Sequence, residues 1–403
     1  MKLKRFSVKG FKNFRQEVVL ENMGDVCVIH GENNVGKSNV LEVMRLLFAI
    51  LDGFSNSRLD LDSFLLALGE GKGDFLENLL KNNSFKIDEL FTFGLNDPID
   101  ISILLDCGEQ IDISLPFQKH LKNSINIPKP QTPCVKDFLE KRFELIGVDR
   151  QINDKETENK RCIVPQSLLL QLYDIKDSPD PEIFEKWELF VSTLQKFNDV
   201  LGEGEFISVF DRESNRSNLV FQPETKPRRR IPIEILGSGI QQVVALIARL
   251  LVSDADFIAI EEPELNLRYT LQVRLQEIIA EIVKAPIGPQ QIFLTSHSPA
   301  FEFGEHFYAM KATDDGPIIE HRPIKDAHLF TEHSVINPSI DGKTAPQCYV
   351  TSDGLVKLPE DTCKELGVEQ GGGIVILKRK DNEHVELLTD EQYFDLLEPI
   401  SNE

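Results

Sequence analysis

Apolar and polar positions alternate from Leu3 to Leu20, with Leu3, Phe6, Val8, Phe11, Phe14, Val18 and Leu20 on the apolar side, which predicts a hairpin of extended strands. Asp25 to His30 is a short β-branched run of buried-strand type. Ser38 to Leu51 then carries Val40, Leu41, Val43, Met44, Leu46, Leu47 and Phe48 with neither Pro nor Gly, as a helix would. Ile99 to Pro116 alternates on both sides of Gly108-Glu109-Gln110 and predicts a second hairpin, and three prolines between Asn126 and Pro133 mark a loop. Phe138 to about Leu201 reads as helical with a polar break at 149–160. The second half is denser: a short strand Ile233–Leu236, a helix Val243–Leu251, a buried strand Asp256–Ile260, a helix Leu265–Val283 and a strand Gln291–Thr295. Strands alternating with helices predict a largely parallel sheet, in which ligands sit at the carboxyl ends of the strands.

The chemistry falls at those ends. Gly31-Glu32-Asn33-Asn34-Val35-Gly36-Lys37-Ser38 fits the phosphate-cradling loop G-x-x-x-x-G-K-[S/T], between a predicted strand and a predicted helix. In that geometry the backbone N–H groups point at the phosphates of ATP, with Asn39 just inside the helix. Lys37 reaches the β and γ oxygens, and the Ser38 hydroxyl ligates Mg2+. The strand Asp256–Ile260 runs into Glu261-Glu262-Pro263-Glu264, which supplies Glu261 as the Mg2+-side acid and Glu262 as the candidate base for the attacking water. Glu264, past the proline, is expected to contact an opposite subunit or a loop. Gln291–Thr295 ends in Ser296-His297-Ser298-Pro299, where His297 could donate to the γ-phosphate or hold the water. Gly237-Ser238-Gly239 opens a helix and offers a second phosphate cradle, redundant unless it serves the ATP of another subunit.

Composition adjusts this picture in three ways. The 403 residues suffice for two to three domains, and their mixture of 41% hydrophobic and 27% charged is that of a globular chain. No apolar run approaches the roughly eighteen residues that cross a bilayer, and the start lacks the apolar core of a signal peptide, so a cytoplasmic protein without membrane contact is expected. The six cysteines are scattered, which suits reduced thiols better than zinc or disulfides. The formal charge of −22 repels nucleic acid, so DNA contact would need a local basic patch. Two are present: Lys2, Lys4, Arg5, Lys9, Lys12 and Arg15, and Lys226 to Arg230; either could equally line a solvated strand edge.

The ordered set of phosphate loop, Ser-Gly signature at Ser238-Gly239, Glu261-Glu262-Pro263-Glu264 and Ser296-His297-Ser298-Pro299 resembles ABC-type ATPase heads of the SMC/RecF/OLD group, most of all the OLD-like ATPases of bacterial anti-phage systems. The resemblance covers residues 1 to 310, with 50 to 205 matching only as a variable insert. It implies an α/β fold: an ABC-type P-loop ATPase head with a mainly parallel core sheet, N-terminal antiparallel hairpins and a helical insertion. It also implies an ATP-sandwich homodimer, head to tail, in which Lys37, Ser38, Glu261, Glu262 and His297 of one chain work with Ser238 and Gly239 of the other. Three departures stand out. Glu261 replaces the more usual Asp, Arg268-Tyr269 replaces His-Pro, and the glutamine that follows the loop in relatives could be Gln110 or Gln118.

OLD proteins continue into a nuclease domain that needs an Asp-x-Asp pair, and none follows His297 here, so an effector would be a separate nuclease or toxin. The tail from Tyr349, with the Pro359-started helical stretch, Gly367 and Val368–Leu377, resembles the AbrB/MazE swapped-hairpin module, which implies dimerisation or partner docking. Leu355 stands where that family has a basic residue. The expected domains are an ATPase in two halves (1–50 and 205–335), an insertion at 51–204 and a C-terminal module at 345–403. The expected function is a slow ATPase that senses nucleic acid or a phage component and controls the effector. A RecF-like DNA-repair ATPase and a non-hydrolysing scaffold are the alternatives.

Overall fold

The computed structural model describes residues 1–56, 80–92, 97–116, 124–126, 132–147, 164, 166–213, 215–224, 229–301, 306–322, 336–340, 343–346, 360–367, 374–378, 385–389 and 392. They fall into two compact units, Met1–Lys325 and Asp326–Glu403.

Among the described residues, three sheets build the first unit. One is antiparallel and contains β1 (Leu3–Lys9), β2 (Val18–Leu20), β4 (Ile99–Leu105), β5 (Gln110–Leu115) and β6 (Ser124–Asn126), in the order β2-β1-β4-β5-β6. Both predicted hairpins are present, and they are joined because β1 pairs with β4. The central sheet has six strands in the order β14-β13-β3-β12-β11-β7, from β3 (Val26–Gly31), β7 (Phe143–Ile146), β11 (Phe257–Glu261), β12 (Gln291–Ser296), β13 (Phe307–Lys311) and β14 (Ile318–His321). All its pairings are parallel except β13 with β14. The third sheet joins β8 (Gly204–Asp211), β9 (Arg216–Pro223) and β10 (Ile231–Pro232).

Side chains alternate across the central sheet into two cores. Phe257, Ala259 and Phe293 belong to the core shared with helix α1 (Lys37–Asn56), α2 (Pro133–Leu139) and the antiparallel sheet. There Phe257 meets Phe48 at 5.1 Å, Phe138 at 5.9 Å and Phe293 at 6.5 Å between ring centroids. Ile258, Ile260, Ile292 and Leu294 belong to the opposite core with α3 (Gln166–Lys176), α4 (Pro181–Gln195), α5 (Ser238–Val252) and α6 (Tyr269–Ile282). A strand covered on both faces reads as a continuous apolar run, which is why β3, β11 and β12 stand out in the sequence.

Four expectations change. Phe143–Ile146 is a strand of the central sheet, paired with β11 from Phe257↔Phe143 to Ile260↔Ile146. Four apolar-rich residues carry no period that separates strand from helix. Residues 51–204 are therefore not one insertion, since β4, β5 and β7 complete sheets of the first unit itself. The strand expected at Ile233–Leu236 ends at Pro232, which has no N–H to extend a ladder, and Ile233–Ile235 forms a 3-10 turn. Cys107 and Cys134 are joined as a disulfide, so thiols are not reduced throughout. The β4–β5 turn and the start of α2 bring their Cα atoms to 6.6 Å.

In the second unit, β15 (Ile336–Ile340) pairs with β16 (Lys343–Pro346) and, after the helix α7 (Glu360–Glu365), β17 (Ile374–Lys378) pairs with β18 (Val385–Thr389). Gly367 takes a φ of +64° after α7, as a helix-terminating glycine does. Residues 349–359 of the proposed swapped-hairpin pattern lie outside the described residues.

Phe257→Ala removes the ring on which three other aromatics converge, and is expected to cost about 3–5 kcal/mol. A urea titration reads this as a lower midpoint with unchanged slope.

Candidate functional site

The register of the central sheet sets the site. Ser296 pairs with His30, Thr295 with Glu261, and Met310 with Gly31, so the ends of β3, β11, β12 and β13 align at one edge. The loop Gly31–Ser38, the acids Glu261 and Glu262, and Ser296-His297 all leave the sheet there, as the sequence predicts.

The loop is cut to fit its neighbours. Gly31 lies against β13, where a Cβ would come within 2.4 Å of the Met310 carbonyl oxygen. Gly36 has φ +109°, a conformation that side chains rarely adopt, and a Cβ would sit 2.6 Å from Asn13 Nδ2. Asn34 is also left-handed at φ +65°. Glu32, Asn33, Asn34 and Ser38 are exposed, whereas Val35 packs inward. Lys37 is buried, and its ammonium donates to the carbonyl oxygens of Gly31 and Glu32, both at 2.8 Å. Two of its three donors are thus used within the loop, leaving the third for an anion. Burial pushes the Lys37 amine below the ordinary lysine value, and the negative charges of Glu262 and Glu264 oppose that shift.

Asn13, which belongs to none of the sequence motifs, braces the loop. Its Nδ2 donates to Val35 O at 3.2 Å, and its Oδ1 accepts from Asn39 Nδ2 at 2.8 Å. The turn that presents it contains Gly10 at φ +79° and Lys12 at φ +49°. The Gly10-Phe11-Lys12-Asn13-Phe14 sequence was a readable signal for that turn. A cavity of about 600 Å³ opens beside it, lined among others by Asn13, Arg15, Asn34, Val35, Phe91 and Pro317. That is within the size range of small-molecule sites.

At the end of β11, Glu261 and Glu262 are half-buried. Glu262 continues the ladder by donating its N–H to Thr295 O at 2.9 Å, but does so at φ +43°, a left-handed conformation in a residue with a Cβ. Of the two contacts expected for Glu264, an opposite subunit or a loop, the structure gives the loop: it is 3% exposed and turns into its own chain, onto the segment that leaves β12. Its Oε1 accepts from Ser296 Oγ at 2.6 Å and from the His297 N–H at 2.9 Å. The His297 ring is 40% exposed, with Nδ1 3.3 Å from Glu264 Oε1 and 3.8 Å from Glu262 Oε1. The oxygen donors Ser38 and Glu261 at this edge fit a hard divalent cation such as Mg2+.

Ser238 and Gly239 start α5, where Gly237 and Ser238 are exposed, no side chain caps the helix, and a Cβ on Gly237 would meet nothing within 4 Å. Gly239 packs near Asn266 and Leu267 of the turn after the acids. Gln110 lies in the antiparallel sheet with its amide on Ser102 and Asp112, away from the strand ends, and Gln118 lies outside the described residues. The strand end beside Glu261 belongs to β7, where a Cβ on Gly147 would lie 3.4 Å from Glu261 Oε2.

The N-terminal basic stretch is partly neutralised within the fold, with Lys4, Lys9 and Arg15 remaining exposed. Lys2 pairs with Asp25, Arg5 with Glu17 and Glu21, and Lys12 with Glu42. In the second stretch, Arg229 and Arg230 are exposed, and 226–228 lie outside the described residues.

The model of the AAA ATPase domain family matches residues 106–301, which include Ser238, Glu261, Glu262 and His297 but begin beyond the phosphate loop. Over 327 residues, 73% of this chain and 85% of the relative, the sequence is 21% identical to the ATP/GTP phosphatase of Helicobacter pylori. A stretch of 48 residues is 42% identical to an uncharacterized protein of Methanocaldococcus jannaschii, covering 12% of this chain and 22% of that one. Among solved structures, the Smc head bound to the C-winged helix domain of ScpA aligns at 15% identity and TM-score 0.51, over 81% of this chain and all of that one. The SMC head domain from Thermotoga maritima gives 16% identity and TM-score 0.47, over 80% of this chain and all of that one. The first of these structures shows the fold, the α/β fold of an Smc head. The family match and the Helicobacter pylori relative support an ATPase.

Because the Lys37 amine is depressed in the folded chain, the unfolded chain binds more protons between that lowered value and 10.5. Wild-type stability therefore rises through this window relative to Lys37→Met. Paired urea titrations across alkaline pH are expected to show the difference moving in favour of the wild type as pH approaches 10.5.

Proposed function

We propose that this chain is a Mg2+-dependent ATPase that closes head to tail with a second copy around two nucleotides, and that the closed state signals to a separate effector. The observation that carries the reading is the convergence of Lys37, Ser38, Glu261, Glu262 and His297 on one edge of the central sheet. In this reading the loop N–H groups and Lys37 bind the β and γ phosphates, and the cavity lined by Asn13, Arg15 and Phe91 takes the nucleoside. Mg2+, held by Ser38 and Glu261, supplies charge neutralisation on the phosphates. Glu262 orients and deprotonates the attacking water, with His297 beside it.

The dimer reading is supported by the exposed N-terminus of α5, whose backbone donors at Ser238 and Gly239 face away from side-chain caps, and by the neighbouring Ile235, 73% exposed. Control of a nuclease or toxin in anti-phage defence is the role we assign to the cycle, with the separate unit Asp326–Glu403 as the docking module. One structural neighbour is an Smc head bound to a domain of another protein, ScpA, which fits partner binding at such a head. A DNA-repair role is less well supported, because Lys2, Arg5 and Lys12 already have acidic partners.

Glu262→Gln is expected to lower ATP turnover by about 10²–10⁴-fold while retaining ATP, and to accumulate as a dimer in light scattering when ATP is present. Wild-type turnover in this variant would end the catalytic assignment. Ser238→Arg is expected to bind ATP as a monomer with turnover at background; dimerisation or hydrolysis at the wild-type level would remove the sandwich.

A further inference from the structure

The most heavily buried acid at the strand edge is not one of the two adjacent catalytic candidates. Glu264 is 3% exposed, and a carboxylate taken that far from water costs several kcal/mol unless donors surround it. Its Oε1 is well supplied, by Ser296 Oγ at 2.6 Å and the His297 N–H at 2.9 Å, and lies 3.3 Å from His297 Nδ1. Its Oε2 is buried and has no hydrogen-bond partner among the described residues. Tying two strand ends together needs only a neutral acceptor for two N–H or O–H donors. A full charge with one oxygen left unmatched is more than that task requires.

The backbone around Glu264 is bent to bring it there. Glu262 at φ +43° and Asn266 at φ +59° bracket Pro263-Glu264-Leu265, so the chain leaves β11, dips inward at Glu264 and emerges again. From the other side, Ser298 Oγ donates to Gln272 Oε1 at 2.5 Å, while Gln272 Nε2 donates to Leu267 O at 2.8 Å. The Ser296–Ser298 loop is thus held from both flanks, and His297 is the residue between the two holds. Its Nδ1 is the buried ring nitrogen and makes no hydrogen bond among the described residues, the Glu264 Oε1 at 3.3 Å being a close charge contact; the exposed part of the ring is on the Nε2 side.

We propose that Glu264 is a positioning residue for the reaction: its buried carboxylate keeps the ring proton of His297 on Nδ1 and fixes the ring, so that His297 works through Nε2. This rests on the ATPase reading of the same site. The charged groups facing the ring are Glu262, at 3.8 Å from Nδ1, and Glu264; Lys37 feels both acids. A carboxylate beside one imidazole nitrogen selects the tautomer and the orientation of the ring. With the proton on Nδ1, a neutral His297 offers a lone pair at Nε2 and accepts from the attacking water. Donation to a phosphate oxygen then requires the ring to take a second proton. Glu264 also links the loop after β12 to the acids after β11, so that a shift of one moves the other.

Glu264→Gln tests this in the full chain, because glutamine preserves the size and the acceptor for Ser296 and His297 N–H but removes the charge. The expected result has three parts. Affinity for a non-hydrolysable ATP analogue stays within about threefold, turnover falls about 10–100-fold, and thermal melting is nearly unchanged. In parallel, 15N-histidine spectra are recorded without nucleotide, with the His297 signals identified by their loss in His297→Asn. They are expected to show the Nδ1–H form in the wild type and a gain of the Nε2–H form in Glu264→Gln. Unchanged His297 signals in Glu264→Gln overturn the proposal even if turnover falls, and so does wild-type turnover with altered signals. Glu264→Asp, which keeps the charge on a shorter arm, is expected to restore the Nδ1–H form; failure to do so also overturns it. If the wild type itself hydrolyses no ATP, the ATPase reading fails, and the spectra still decide the Glu264–His297 link.

Discussion

The alignment of parallel strand ends is the constraint on which the rest of this protein depends. β3, β12 and β11 run side by side with His30 opposite Ser296 and Thr295 opposite Glu261. A slip of one residue in either pairing would send the Ile258/Ile260 set to the wrong core and carry the acids away from the phosphate loop. Register is held because both faces of these strands are buried, the Phe257, Ala259 and Phe293 side against aromatics and the Ile258, Ile260, Ile292 and Leu294 side against helices. The same burial that stabilises the fold therefore places the chemistry.

That edge concentrates groups that are unfavourable elsewhere in a fold. A buried lysine with a depressed amine, a buried carboxylate with one unmatched oxygen, and three side-chain-bearing residues at positive φ, Asn34, Glu262 and Asn266, lie in the segments that leave the strand ends. Charge compensation is local, since Lys37 faces Glu262 and Glu264, and Glu264 in turn faces His297. Such clustering is what a site for a highly charged ligand requires, because its donors and acceptors must be held in place before the ligand arrives.

Outside the edge, charge is handled differently. The chain is strongly acidic, yet its N-terminal stretch reads as basic. In the fold, Asp25, Glu17, Glu21 and Glu42 come to Lys2, Arg5 and Lys12 from nearby turns and from α1. Lys4, Lys9 and Arg15 stay exposed, so the run is offset in part only. Exposed pairs of this kind add little to stability, and their effect here is on what the surface can attract.

The sequence alone determined the phosphate loop, the buried strands that flank it, both hairpins and the order of the chemical motifs, because each depends on neighbours within about ten residues and leaves a periodic or fixed-position trace. It could not place Phe143–Ile146 in the central sheet, since a four-residue run has too little period and its partner Phe257 lies far along the chain. Tertiary structure also decided that Cys107 meets Cys134, that Asn13 braces Val35 and Asn39, and that Glu264 turns inward to Ser296 and His297. Each of these is a contact between residues distant in sequence, fixed by how layers pack, and no local propensity encodes it.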